Sequence, residues 1–164
     1  MKHASMVRSL CLSAMIAALY LALTLVFQAF GFGPVQFRVS EALTLLPVLF
    51  PQAISGLAVG CLLGNLLAGA NLYDVVFGTL ATLLAAYGTY RLRRNVWLAA
   101  LPPVAVNGVV VGLVITYAYG VNAPLLNMLT VALGQGVVCY ALGVPLIKGL
   151  RRLAQKGLID LEQP

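Results

Sequence analysis

A chain of 164 residues that is 62 % hydrophobic and 9 % charged lacks the polar surface of a water-soluble domain, which carries about a quarter charged residues. Ten Lys and Arg outnumber four Asp and Glu, for a net charge of +6, but the basic residues cluster at the ends of apolar runs instead of forming a polar face. That distribution excludes a soluble enzyme and a nucleic-acid-binding domain. It leaves an all-α, polytopic membrane protein, read as one integral membrane domain over residues 1–164 in contact with the lipid bilayer.

The first apolar run covers residues 7–30. Ala14, Ala18 and Ala22 recur in it every four residues and form one smooth helical stripe, flanked by Ser13 and Ala17. The run is too long for the core of a cleavable signal peptide and lacks a small-residue cleavage site at a suitable distance, so it is expected to persist as a helix. The second run, 39–50, stops at Pro47 and Pro51 and falls short of the ~20 residues a spanning helix needs. It is predicted to begin earlier, to tilt or to cross only partway, as one short or irregular helix. The third run, 52–70, carries Gly56, Gly60 and Gly64 in one register with Ala68 following, a stripe that lets helices approach closely and reads as internal packing. The fourth, fifth and sixth runs cover 73–90, 96–119 and 125–147.

Six helices place both termini on one side. Lys2 and Arg8, the Arg91, Arg93 and Arg94 cluster, and Lys148, Arg151, Arg152 and Lys156 then share that side. Loops rich in Lys and Arg stay in the cytoplasm, so a multi-pass protein of the plasma membrane with both termini cytoplasmic is expected.

Three loops, 31–41, 69–74 and 117–124, face the other way and hold the polar residues that are not simple anchors. Glu41 and Asp74 are the acids near the membrane, since Asp160 and Glu162 lie in the tail. An ionisable group in or near a bilayer is costly and faces a cavity or a partner. Glu41 and Asp74 are therefore candidates to line an outward pocket, with Arg38, Gln36 and Phe37 beside them in sequence. Each has a structural alternative. Arg38 and Glu41 stand three apart and can pair on a helix, and Asp74 can cap the fourth helix.

Asn65, Asn107 and Gln135 lie inside helical runs, where a carboxamide can read the donors and acceptors of a flat heterocycle or join helices in lipid. Phe32, Phe37, Tyr73, Phe77, Tyr117 and Tyr119 can stack on a ring or form an interfacial belt. No glycine-rich phosphate loop, HExxH helix, GxSxG elbow or Cys–His pair is present. Cys11, Cys61 and Cys139 stand apart in apolar runs and His3 is the one histidine, so no metal, cofactor or enzymatic activity is expected.

The stretches GPVQFRVSEALTLLP, GLAVGCLLGNLLAG and DVVFGTLATLLAA, in this order and spacing, resemble the queuosine-precursor transporter family. The likeness runs from about residue 6 to 153, and its most specific part is QFRVSEALTLLP. Members are substrate-binding (S) components of energy-coupling factor (ECF) transporters. The resemblance implies a six-helix S-component fold with an outward pocket. It also implies a membrane T subunit and two cytoplasmic ATPases as partners, and an alanine stripe on helix one, here Ala14, Ala18 and Ala22, that docks the T subunit. The implied ligand is a 7-deazaguanine base such as prequeuosine or queuine. Glu41 would accept from the base edge or from an aminomethyl arm, with Arg38 placing or balancing it. Two positions depart from the family pattern. Many members carry glutamate where this chain has Gln135, and an acid in helix five near Val114, which points to a less cationic ligand or to a different reading of the same base. An S component for another vitamin-like molecule, a stand-alone secondary transporter or channel, and a structural membrane partner without a ligand are the competing readings.

The charge clusters generate a topology prediction. In a background lacking the native cysteines, Asn122→Cys should react with an impermeant thiol reagent applied to intact cells, and Lys156→Cys should not. The reverse labelling pattern would invert the topology.

Overall fold

The computed structural model describes residues 2–31 and 37–158, and among them it is helical throughout, without strands. Small residues set how closely the helices meet. Helix α1 (Lys2–Val26) packs along α3 (Ala53–Leu67), and the glycines of α3 form the contact. A Cβ at Gly56 would stand 2.5 Å from the Ser13 carbonyl oxygen, at Gly60 2.8 Å from that of Ala17, and at Gly64 3.2 Å from Thr24 Cγ2. The Gly56–Gly60–Gly64 stripe is thus spent inside the molecule, as the sequence suggested. The opposite outcome holds on α1. Its Ile16, Ala17, Tyr20 and Thr24 are buried, while Ala14, Ala18 and Ala22 are exposed on the other side.

The second run is a 3-10 helix, α2 (Val39–Val48), with every residue from Ser40 to Val48 buried. At ~2.0 Å per residue it covers about 20 Å, less than the ~30 Å hydrocarbon core. Such long 3-10 runs are uncommon. Here Pro47 sits inside the run, and Thr44 turns its hydroxyl back to the Glu41 carbonyl at 2.6 Å. Leu43, Leu45, Leu46 and Val48 of α2 join Ile16 and Tyr20 of α1 and Leu57 and Cys61 of α3 in the core. α2 is therefore a buried strut around which the longer helices stand.

The fourth helix, α4 (74–91), opens with a π turn, Asp74–Gly78, and continues as α-helix Thr79–Arg91. The fifth, α5 (Val96–Ala118), breaks at Ala100, just before Pro102 and Pro103. The sixth, α6 (Pro124–Gln155), contains a second π turn, Cys139–Gly143. α5 lies directly on α6, because a Cβ at Gly112 would meet the Met128 Cα at 2.6 Å. Helix α6 runs past the predicted end at 147. Lys148, Arg151 and Arg152 end the apolar pattern but are good helix formers, so they continue the helix as an amphipathic turn.

Met6–Val26, Val96–Ala118 and Pro124–Gln155 are long and apolar enough to cross a membrane, and α2 and α3 are shorter apolar helices. The six helices follow the predicted order, and length qualifies three of them as spans. Two of the three basic clusters meet at one end. Arg151 Nη2 donates to the Arg93 carbonyl at 3.4 Å, and Lys148 Nζ stands 4.6 Å above the Trp97 ring. At the other end Gln28 donates to the Ala68 carbonyl at 3.0 Å, and the Asn71 N–H donates to Tyr119 Oη at 3.4 Å. Gly69 and Gly120 leave α3 and α5 there with φ of 70° and 71°, a left-handed exit that glycine adopts without strain.

The close α1–α3 contact predicts that Gly56→Ala lowers stability by about 1–3 kcal/mol, since its Cβ collides with a backbone oxygen that cannot swing aside. Gly136→Ala, where a Cβ would meet nothing within 4 Å, should leave thermal unfolding in detergent unchanged.

Candidate functional site

A carboxylate with no access to water needs donors from the protein. Glu41, in the first turn of α2, is 1 % exposed and has three of them from three helices. The Tyr20 hydroxyl of α1 donates to Oε1. The Asn107 Nδ2 of α5 and the Gln135 Nε2 of α6 both donate to Oε2 at 3.1 Å. The 3-10 turn carries Glu41 into this position: its N–H bonds to the Arg38 carbonyl at 2.9 Å.

Arg38 precedes the helix and is also buried. Its Nη2 donates to Asn65 Oδ1 at 2.6 Å, and Asn65 Nδ2 in turn donates to the Asp74 carbonyl at 3.1 Å. The Asp74 side chain, 3 % exposed, accepts from the Tyr119 hydroxyl at 2.6 Å. Partial burial and this bond push the Tyr119 phenol above its ordinary pKa, so it remains a donor at neutral pH. The capping role open to Asp74 as an alternative falls to Asn71, whose Oδ1 accepts from the Tyr73 N–H at 3.0 Å.

Arg38, Glu41, Asn107 and Gln135 line one cavity, closed on its apolar side by Val111 and Val131. Its volume is about 10 Å³, room for roughly one water. Anything larger than a water enters only if α2, α5 and α6 move apart at this level. Of the predicted site residues, these four converge. Asn65 and Asp74 join them through Arg38 instead of lining the space. Phe37 is 39 % exposed, and Gln36 lies outside the described residues. Val114 lines not the carboxylate cavity but an apolar groove of about 370 Å³, with Tyr73, Phe77 and Tyr117. The Tyr73 and Phe77 rings stack on each other at 6.2 Å.

Tyr20, Thr24 and Ser40 were not among the expected site residues. Thr24 Oγ1 lies 2.9 Å from Ser40 Oγ, one helical turn from the Tyr20–Glu41 bond. The signal was present in the sequence: Ser13, Tyr20 and Thr24, the polar tips of α1, share one face at spacings of seven and four.

Residues 10–152 match the family model described as QueT transporter. A relative from Lactococcus lactis subsp. cremoris (strain MG1363), the "Queuosine precursor transporter QueT", is 38 % identical over 73 residues. That stretch covers 43 % of this chain and 43 % of the relative. No solved structure matches.

Gln135→Glu should show how far the site depends on amide donors. The change replaces a donor 3.1 Å from Glu41 Oε2 with a second carboxylate. Two carboxylates this close cannot both ionise, so one must hold a proton, and holding it costs more as pH rises. Thermal unfolding in detergent should therefore show a larger loss of stability at pH 8 than at pH 5. An equal loss at both would mean that the two groups do not meet.

Proposed function

The chain belongs to the QueT transporter family, and we propose that it is the substrate-binding component of an importer for a queuosine precursor, a 7-deazaguanine base such as prequeuosine or queuine. The observation that carries this reading is the buried Glu41 carboxylate, held among two carboxamides and a guanidinium at one small cavity. A guanine-type edge presents a ring N–H and an amino group side by side, and a carboxylate accepts both. On entry the base takes over the bonds that Asn107 and Gln135 make to Oε2, and frees those amides to serve its other polar atoms. Arg38 adds a donor for a carbonyl or ring nitrogen. Every donor the ligand displaces is replaced by one of its own, so Glu41 remains satisfied in both states.

The role is transport, not catalysis. Uptake against a gradient needs an energy source, and the sequence has no phosphate-binding loop. Coupling to a membrane T subunit and two cytoplasmic ATPases supplies it, with the basic end in the cytoplasm and the cavity opening outward across the plasma membrane. The exposed face of Ala14, Ala18 and Ala22 offers the T subunit a surface without protruding side chains.

Calorimetry on purified protein against deazaguanines, guanine, riboflavin, biotin and thiamine tests the ligand class. Binding of a deazaguanine and not of the vitamins is expected, and saturable binding of a vitamin alone would replace the assignment. Glu41→Gln should raise the dissociation constant about ten- to a hundredfold, the loss of one charge-assisted contact of ~1.5–3 kcal/mol. If Glu41 served only to balance Arg38, Glu41→Gln and Arg38→Ala would lower stability alike and leave affinity unchanged.

Coupling has its own test. Ala18→Trp should preserve ligand binding by the isolated protein and abolish uptake in cells that supply the partner subunits. Uptake equal to wild type would remove the alanine face from the docking surface.

A further inference from the structure

Helix α1 reaches the Glu41 carboxylate from behind. Tyr20 is 0 % exposed, and its hydroxyl donates to Oε1, whereas Asn107 and Gln135 donate to Oε2. The cavity is lined by Arg38, Glu41, Asn107, Val111, Val131 and Gln135, and Tyr20 does not border it. The two oxygens are thus divided between one donor on the α1 side and two donors that line the cavity.

We propose that Tyr20 is a positioning residue for substrate recognition. It holds Oε1 and thereby fixes the rotation of the carboxylate that turns Oε2 toward the ligand. This inference rests on the reading that Glu41 contacts the ligand. An ionised carboxylate accepts hydrogen bonds and donates none, so each buried oxygen seeks a donor. Without the phenol, Oε1 is left in an apolar wall that water does not reach, and the carboxylate turns until the Asn107 and Gln135 amides serve both oxygens. The ligand would then have to break a bond at each oxygen. A phenol suits this position because it donates without bringing a full positive charge. A Lys or Arg there would put a second full positive charge, besides that of Arg38, beside the carboxylate that has to attract the donors of the base. The ring is also anchored: Tyr20 packs in the core with Leu45 and Leu57, and Thr24, one turn on, ties α1 to Ser40 at 2.9 Å.

The experiment is a double-mutant cycle read by calorimetry, with prequeuosine as the probe and the folded, monodisperse fraction of each variant. Tyr20→Phe keeps the ring and should raise the dissociation constant about tenfold. In the Glu41→Gln background the same change should alter it by less than about twofold, or reverse its sign, because Tyr20 acts through the carboxylate. Thr24→Val removes another buried bond between α1 and α2 without touching Glu41. It should lower the unfolding temperature while leaving affinity within about twofold of wild type. Should Glu41→Gln bind as wild type, the ligand reading fails and the role of Tyr20 falls with it. Three outcomes with Glu41→Gln weakened overturn the role of Tyr20 alone: wild-type affinity in Tyr20→Phe, the same loss from Tyr20→Phe in both backgrounds, or an equal loss of affinity in Thr24→Val.

Discussion

A carboxylate in the interior of an apolar helical bundle has to be compensated, and most of this architecture follows from that requirement. Removing an ionised group from water without partners costs many kcal/mol, far more than a small domain has to spare. Glu41 is compensated by donors that arrive from α1, α5 and α6, with residues as far apart in sequence as Tyr20 and Gln135. No local segment could supply this set. The helices must therefore stand at fixed distances around α2, and the glycines set those distances. Gly56 and Gly60 bring α1 against α3, and Gly108 and Gly112 bring α5 against α6. A side chain at these positions would keep apart the helices that carry the donors. Close packing and polar satisfaction are two aspects of one constraint here.

The irregular backbone lies where the polar side chains do. α2 is wound as a 3-10 helix, and π turns occupy Asp74–Gly78 and Cys139–Gly143. The 3-10 winding leaves Arg38 directed to Asn65 and Glu41 directed to α5 and α6. The first π turn starts at Asp74, whose carboxylate takes the Tyr119 hydroxyl while its carbonyl takes the Asn65 amide. The second starts at Cys139, which contacts Gln135 at 3.6 Å and Thr44 at 3.9 Å. π turns and long 3-10 segments are uncommon and gather at functional sites. Here the 3-10 helix carries Glu41 to a small cavity, and the two π turns begin at residues bonded to Asn65 and Gln135, so the irregular segments aim side chains that a regular helix would direct elsewhere.

Much of this was legible in the sequence because the bilayer restricts what a chain can do. Sparse charge fixed the class, the Gly56–Gly60–Gly64 spacing marked a contact face, and the shortness of the 39–50 run foretold an irregular element. Glu41, Asn107 and Gln135 stood out because polar groups inside apolar helices are rare enough to need a reason. Other features were less legible. Tyr20 was marked only by the face it shares with Ser13 and Thr24, because an aromatic residue in an apolar helix satisfies the hydrophobic pattern whether or not its hydroxyl has work to do. Asn71 was not considered as a cap, because Asp74, a favoured capping residue, stands nearer the apolar run. The end of α6 was placed too early because hydropathy reports where lipid contact stops, and the helix itself continues into its basic turn. The π turns left no sequence signal of their own, since Asp74–Gly78 and Cys139–Gly143 have ordinary helical composition.

α1 joins two surfaces that sequence analysis treats separately. Its inward face gives Tyr20 to Glu41 and Thr24 to Ser40, and its outward face presents Ala14, Ala18 and Ala22. The two faces are one helix apart, about 10 Å, and both are carried on the same backbone. The contacts of α1 with α3 are partly backbone to side-chain position, with the Ser13 and Ala17 carbonyls over Gly56 and Gly60, so the helix has little freedom to turn independently of α3. If a partner packs on the alanine face, as proposed above, it presses on the same helix that carries Tyr20 to Glu41. Conversely, a ligand that orders α2 around Glu41 orders the tyrosine bonded to it. Reciprocal coupling of this kind requires no long pathway, because binding free energies at two faces of one rigid helix are linked whenever either changes that helix's position.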